Sequence, residues 1–192
     1  MNPLVETVDG KFVAADARII IDDNALFRHP EYKRRLLEGE SELTSQEIEA
    51  MKNDLAYVKL EGDIGVIGNG AGLVMATLDT IRYYGGKPAN FLDVGGGAPA
   101  EKTATALSIV LSDPNVKTLF INILGGITRC DEVARGILEA KAKVGVTKPM
   151  VTRLVGTNEE EGKRILAKAG IPFLESMEEA AQKVVEIVRH GG

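Results

Sequence analysis

Two short glycine-rich segments contain residue types that can bind anions through the backbone. They are residues 68–72 (GNGAG) and 125–128 (GGIT), within glycine clusters at 62–72, 85–97 and 125–126. Each segment follows an apolar run and precedes a helical one, so its unpaired amides lie at the positive end of a helix dipole. Two such ends that converge can bind a carboxylate or a phosphoryl group. The alternative is that the glycines only make tight turns, and for either segment by itself the two interpretations have equal weight.

Short apolar runs alternate with longer helical runs from residue 64 onward. The predicted strands cover residues 64–67, 90–94, 118–124, 150–155 and 172–174. The predicted helices cover residues 71–84, 100–111, 130–144, 158–169 and 177–189. Successive β–α units require a parallel sheet with helices on both faces, because the crossovers must be right-handed. The predicted fold class is therefore α/β, and five strands favour the flavodoxin-like order 2-1-3-4-5.

This strand order brings the two glycine segments to one point. Ligands of such sheets bind beyond the carboxyl ends of the strands, where the strand order reverses. Here that point lies between the first and third predicted strands, and Asn69 and Thr128 add polar groups to it. The combination favours an anion site, and composition leaves the identity of the anion open.

Two nucleotide-binding motifs are approached but not met. Residues 68–72 do not match G-x-G-x-x-G, and Asp93 is better interpreted as support for the glycine loop that follows it than as a ribose-binding acid. Residues 96–103 approach a P-loop, but Glu101 stands where that motif requires glycine. A side chain there would obstruct the phosphate cradle, so both motifs are excluded.

The remaining reactive side chains favour structural roles. Cys130 lies in the first turn of a predicted helix, where the dipole could lower its pKa, but a cysteine without a partnered histidine is more often a small packing residue. His29 and His190 lack ligand spacing with Cys130, which argues against a zinc site. Arg129 and Arg153 follow strand ends and could serve anions, and a solvated or interface role fits them equally well.

Composition excludes several classes of protein. The formal net charge is −5 with Lys and Arg spread along the chain, so no nucleic-acid surface is expected. No apolar run approaches the roughly 18 residues that a membrane span needs, and no signal peptide opens the chain. The single cysteine excludes an internal disulfide and indicates a reducing compartment, so a cytoplasmic location is expected.

The first 60 residues differ from the rest. Polar and apolar residues alternate on both sides of Asp9 and Gly10, a pair typical of hairpin turns. A hairpin by itself is marginally stable in water, so this segment is interpreted as the edge of another domain. The expected organisation is a terminal hairpin over 1–22, a helical connector over 23–60 and the α/β domain over 61–192.

Three segments resemble the β subunit of succinyl-CoA synthetases, which are succinate–CoA ligases. They are residues 68–73 (GNGAGL), 85–97 (GGKPANFLDVGGG) and 122–131 (NILGGITRCD), in the family's order and with similar spacing. The similarity extends over essentially the whole chain, including residues 24–28 (NALFR). The resemblance implies a flavodoxin-like CoA-ligase domain preceded by the hairpin remnant of an ATP-grasp domain.

The resemblance also implies a reaction of the tricarboxylic acid cycle. In that family the α subunit binds CoA and carries a histidine, which passes a phosphoryl group between succinyl phosphate and ADP or GDP. The implied contacts to the succinate carboxylates are Asn69, Gly126, Ile127 and Thr128, with the helix after Thr128 directed at the phosphohistidine. Many relatives carry valine where this chain has Thr128, which leaves the backbone amide unaffected. No catalytic residue is expected on this chain, and the implied partner is the α subunit in an αβ or α2β2 assembly.

The resemblance further implies a magnesium site. Asn2 and Asp16 match the Asn and Asp that hold the Mg²⁺ accompanying ATP or GTP, and oxygen ligands suit that cation. Met1 replaces what precedes the family's asparagine, and nearly the whole nucleotide pocket is missing. The chain is therefore expected to be a truncated subunit or an excised domain that is inactive by itself.

Three alternatives stay open at this point. A stand-alone partner module could keep the fold without the chemistry. A malate– or citrate–CoA ligase would carry similar glycine turns, since an extra hydroxyl on the acid needs few changed contacts. A flavin or dinucleotide oxidoreductase is the third, and the missing G-x-G-x-x-G motif argues against it.

Overall fold

The computed structural model describes residues 3–16, 19, 21–32, 43–145 and 148–190. The chain folds as two compact units, residues 1–42 and 43–192. The three-part division at residues 22 and 60 stays a prediction.

The first unit contains the expected hairpin. Strands β1 (Leu4–Glu6) and β2 (Phe12–Ala14) pair antiparallel, with Val5 opposite Val13. The turn is closed by a hydrogen bond from the Gly10 amide to the Thr7 carbonyl (2.9 Å), and Gly10 has φ +77°. The prediction of a hairpin about Asp9 and Gly10 is therefore confirmed. A 3₁₀ helix, Asp23–Arg28, follows.

The second unit alternates strands with helices. Its strands are β3 (Ala56–Lys59), β4 (Ile64–Gly68), β5 (Asn90–Asp93), β6 (Thr118–Gly125) and β7 (Met150–Gly156). Its helices are α1 (Ser45–Lys52), α2 (Ala71–Tyr83), α3 (Ala100–Leu111), α4 (Cys130–Val144), α5 (Glu159–Lys168) and α6 (Met177–His190). The β–α alternation predicted from residue 64 onward is present.

The sheet has the order β3-β5-β4-β6-β7. Strands β5, β4, β6 and β7 are parallel and follow the predicted order 2-1-3-4. Every residue of β4 is buried, and so are all but one of β6, which is the pattern of central parallel strands. A five-stranded α/β sheet with helices on both faces is confirmed.

The sheet is mixed, whereas the sequence predicted five parallel strands. The fifth strand is β3, which pairs antiparallel with β5 at the edge, with Tyr57 opposite Leu92. The predicted strand at 172–174 is reduced to one bridge between Thr152 and Phe173. Pro172 has no amide proton to donate, so this segment extends the ladder poorly.

Alternate side chains of the central strands build two cores. Val66 and Phe120 pack with helices α2 and α6 on one face of the sheet. Ile67 and Ile121 lie on the other face, in a core shared with α1, α3, α4 and α5. The period of two along each strand therefore places helices on both faces.

A buried side chain joins β4 to β5. The Asn90 Oδ1 accepts from the Val66 amide (3.1 Å), and its Nδ2 donates to the Val66 carbonyl (2.8 Å). Backbone pairing joins Gly68 to Asp93 at the carboxyl ends of the two strands, and a bridge joins Ile64 to Pro88 at the other end. Asp93 is thereby held beside the turn that follows β4.

Candidate functional site

The turns after β4 and β6 converge, as the strand order predicts. Gly68 pairs with Asn122 in register, so the two strands end side by side. Helix α2 begins at Ala71 and helix α4 at Cys130, and among the described residues no side chain caps either amino terminus. The amides of both first turns are therefore at the same edge of the sheet.

Asn69 ties the two turns together. Its Nδ2 donates to the Leu124 carbonyl (2.9 Å) and to the Thr128 Oγ1 (3.2 Å). Its Oδ1 accepts from the Leu124 amide (2.8 Å). The side chain predicted to contact a substrate is thus hydrogen-bonded at both ends within the protein, and it fixes the distance between the two turns.

A third turn, residues 94–99 after β5, joins the same cluster. The Gly97 amide donates to the Thr128 Oγ1 (2.9 Å), so this buried hydroxyl accepts from two different turns. The Asp93 Oδ1 accepts from the amides of Gly70 (2.6 Å) and Gly95 (2.7 Å). The interpretation of Asp93 as loop support is confirmed. Sequence reasoning did not place this turn in the site, although the GGG run after a predicted strand was a signal for it.

The turn after β6 forms part of the surface of the cluster, together with the exposed Gly96 and Gly97 of the turn after β5. Gly126 is exposed, Ile127 is 84% exposed and Leu124 is 52% exposed, while Thr128 is fully buried. A Cβ added to Gly126 would meet no atom of the described residues within 4 Å. An Ile127 side-chain carbon lies 3.4 Å from where a Gly97 Cβ would be. A ligand that approaches this edge can therefore reach residues 126 and 127, although the Gly126 amide donates to the Leu124 carbonyl (3.1 Å) and its carbonyl accepts from the Thr157 hydroxyl (3.0 Å).

The two candidate arginines have partners within the protein. Arg129 donates from Nε and Nη2 to the two carboxylate oxygens of Asp131 (3.2 and 3.0 Å). These bonds lower the pKa of the buried Asp131, to which Asn158 also donates (3.1 Å). Arg153 donates to the Asn122 Oδ1 (3.0 Å) and to a backbone carbonyl. Arg153 therefore joins β7 to β6 and to residue 175, whereas Arg129 is held locally at the start of α4.

Cys130 has a packing role. Its side chain is fully buried, and burial raises the pKa of its thiol to about 11. Its backbone amide donates to the Thr157 carbonyl (2.9 Å). A thiol that stays protonated at neutral pH is a poor nucleophile, so the packing interpretation is confirmed.

The described structure does not test the two residues matched to magnesium. Asp16 is exposed just after the hairpin, and Asn2 lies outside the described residues. The part of the chain that the structure describes contains no group of three His, Cys, Asp or Glu placed to hold a metal ion. Asn2 and Asp16 thus stay predicted magnesium ligands.

An α-helix that crosses a bilayer needs about 20 consecutive, predominantly apolar residues. Within the described ranges, none is both long and apolar enough to cross one.

Residues 67–187 match the sequence model of the CoA-ligase family. The match covers more than half of the chain, and the chain belongs to this family. It includes the turns after β4, β5 and β6, so the whole cluster described above lies within the family's domain.

The matched relatives carry a more specific name than the family model does. The chain is 54% identical over 189 residues to a succinate–CoA ligase [ADP-forming] subunit beta of Pyrobaculum calidifontis, covering 98% of this chain and 50% of the relative. It is 55% identical over 192 residues to the protein of the same name from Geobacillus kaustophilus, covering 98% and 49%. The chain thus spans about half the length of the curated relatives it matches.

Solved structures show the same fold at low identity. ATP citrate lyase from Methanothrix soehngenii, in complex with citrate and coenzyme A, superposes with a TM-score of 0.67 at 20% identity, covering 86% of this chain and 52% of that one. A dinucleotide-forming acetyl-coenzyme A synthetase of Ca. Korarchaeum cryptofilum gives 0.59 at 21% identity, covering 84% and 41%. These similarities concern the fold alone.

Proposed function

We propose that this chain is part of the β subunit of a succinate–CoA ligase that couples cleavage of succinyl-CoA to nucleoside triphosphate synthesis. The observation that carries the proposal is the cluster of three turns at the carboxyl edge of the sheet, with residues 126 and 127 open at its surface. Uncapped helix amino termini stabilise negative charge, which suits a dicarboxylic acid and a phosphoryl group. The names of the relatives support the choice of succinate and ADP.

The four site residues divide into two roles in this proposal. Gly126 and Ile127 form the surface that the acid substrate approaches, because both residues are exposed. Asn69 and the buried Thr128 side chain hold that backbone in place, because their polar atoms bond to other turns. Thr128, which is fully buried two residues before α4, supports the exposed residues from below. The selection of the acid substrate then depends on the position of the backbone at residues 126 and 127.

The proposed partner is an α subunit that binds CoA and carries a phosphorylated histidine, in an αβ or α2β2 assembly. Two exposed apolar side chains, Leu124 and Ile127, flank the open backbone. Apolar side chains at the rim of a charged-ligand site suit a surface that another protein covers and dries. The name "subunit beta" of the relatives agrees with such a partner.

Nucleotide and magnesium binding are assigned to a larger ATP-grasp part of the parent subunit, in the cytoplasm. The exposed hairpin supports this, since Leu4 is 60% exposed and Phe12 is 70% exposed on three-residue strands. Such a hairpin needs apolar cover from further chain. Asn2 and Asp16 stay proposed Mg²⁺ ligands on the resemblance, and no chemical step is derived through that ion.

The decisive experiment joins this chain to the amino-terminal half of the Pyrobaculum calidifontis relative and co-expresses it with that organism's α subunit. We expect ADP release from ATP that requires both CoA and succinate. Malate and citrate serve as competing acids, and either one turning over faster than succinate would replace the proposed substrate. The chain by itself serves as the inactive control. A purified complex that turns over none of the three acids would contradict the proposal.

A further inference from the structure

Asp93 is the polar residue of the cluster to which neither the resemblance nor the relatives give a role. It ends β5, is half-buried, and lies opposite Gly68 in the neighbouring strand. One oxygen, Oδ1, accepts both the Gly70 amide (2.6 Å) and the Gly95 amide (2.7 Å). A single carboxylate oxygen therefore connects the turn after β4 to the turn after β5.

In both turns, the residue that donates the amide has a backbone conformation that favours glycine. Gly70 has φ +101° and Gly95 has φ +77°, a region that residues with side chains rarely adopt. Such turns are conformationally free in the absence of a partner. A carboxylate that accepts two amides forms charge-assisted bonds, which are stronger than bonds between neutral groups, and so selects one conformation.

The two turns that Asp93 holds also donate hydrogen bonds to one shared acceptor, the Thr128 Oγ1. Asn69 precedes Gly70 and donates to the Thr128 Oγ1, and Gly97 lies two residues after Gly95 and donates to the same oxygen. A shift at Asp93 would thus reach Thr128 from two sides. Thr128 follows Gly126 and Ile127, whose backbone is open at the surface.

We propose that Asp93 is a positioning residue for the acid substrate, and this inference rests on the proposed function. Its carboxylate places a negative charge at the start of α2, where it accepts a hydrogen bond from the Gly70 amide. An external carboxylate is thereby directed to the turn after β6, whose residues 126 and 127 are open. Asp93 touches no reacting atom, and its effect passes through Asn69, Gly97 and Thr128.

The kinetic test uses Asp93→Ala and Asp93→Asn in the rebuilt ligase. In Asp93→Ala we expect the KM for succinate to rise about tenfold or more and kcat to fall, with the KM for ATP unchanged. Asp93→Asn keeps an oxygen that can accept both amides, so it should recover to within about threefold of the unsubstituted ligase. A purely structural defect would lower the active fraction and leave both KM values unchanged. That result, or Asp93→Asn as impaired as Asp93→Ala, would overturn the inference.

A second test needs no ligase activity. Amide hydrogen exchange is followed by NMR on this chain and its Asp93→Ala variant. The Gly70 and Gly95 amides should exchange at least about tenfold faster in the variant, while the Val66 amide, bonded to Asn90, serves as the unaffected control. Equal exchange at Gly70 and Gly95 in both proteins would overturn the inference whatever the assay shows. An inactive rebuilt ligase with the expected exchange pattern would instead reject the proposed function, and with it the acid substrate assigned to Asp93.

Discussion

Glycines in two regions of this protein serve opposite purposes. At the turn after β6, a Cβ added to Gly126 would meet no atom of the described residues within 4 Å. In the helix layer over one face of the sheet, a Cβ on Gly136 of α4 would lie 2.3 Å from the Ala100 carbonyl oxygen of α3. One on Gly162 of α5 would lie 2.8 Å from the Cys130 carbonyl oxygen. Gly126 therefore borders open space, whereas the helix layer uses the missing side chains to bring backbones together.

The contrast shows what glycine clustering signifies in a sequence. The clusters at 62–72, 85–97 and 125–126 include the turns of the candidate site, although some of their glycines, such as Gly68 and Gly125, also allow close contacts. Gly136 and Gly162 stand alone within helical runs, and nothing local marks them as contact points. Substitutions in the two regions should therefore separate loss of activity from loss of stability.

The largest effect is expected for Gly126→Val in the rebuilt ligase. The new side chain would occupy the space that the ligand needs, so turnover should fall by at least about 100-fold, as when a reactant is displaced by an ångström. The melting temperature should stay within a few degrees, because the site has room. Ala167→Val, an addition of bulk at an exposed position of α5, is the matched control and should keep its activity. Normal turnover by Gly126→Val would contradict the assigned contact.

Gly136→Ala should show the opposite pattern. The added methyl group would overlap the Ala100 carbonyl, so α3 and α4 must separate, at a cost of about 2 kcal/mol of unfolding free energy. Urea unfolding of this chain measures it. The matched control is Gly72→Ala in α2, where no described atom lies within 4 Å and stability should be unchanged or higher. Equal stability of the two variants would remove the distinction between the regions.

Asn69→Ala tests the link between the turns. Losing the bonds to Leu124 and Thr128 should raise the KM for succinate about tenfold and change the KM for CoA less. Steady-state kinetics of the rebuilt ligase with each substrate varied in turn provides the comparison. Equal losses for both substrates would argue against a role at the acid site.

A smaller, pH-dependent loss of unfolding free energy is expected for Asp131→Asn. Asp131 lies in the first turn of α4, between the turn after β6 and the helix layer. Hydrogen bonds from Arg129 lower the pKa of Asp131 in the folded chain, below the unfolded value near 3.9. The carboxylate therefore stabilises the fold above about pH 4, and this contribution is lost as the pH falls toward the folded pKa. The stability difference between the original chain and the variant should be larger at about pH 6 than at about pH 2.5. A difference that does not change with pH would show that the ion pair contributes nothing.

Much of the sheet could be predicted from sequence, and its edges could not. Apolar runs identified β4, β5, β6 and β7, because buried parallel strands are apolar on both faces. Strand β3 has the sequence AYVK with only Tyr57 buried, and its antiparallel pairing to β5 gives no such signal. The strand order also predicted that the turns holding Asn69 and Thr128 would meet.

The side-chain bonding within the site could not be predicted. Asn69 bonds to a partner 59 positions along the chain, and Gly97 to the same oxygen from 31 positions away. Such contacts depend on the final spacing of turns and on rotamers, which no local pattern specifies. The bonds by which the Asn69 side chain holds two turns together could therefore not be predicted, and its predicted contact with a substrate stays a prediction.

Cys130 has a further consequence for experiments on this chain. It is the only thiol in the sequence, it lies at the start of α4, and α5 crosses it at Gly162. A thiol-reactive dye can label it only when these helices part, so the labelling rate reports how often they open. The labelling rate of this one thiol thus measures local opening beside the turn after β6, and no engineered probe is needed.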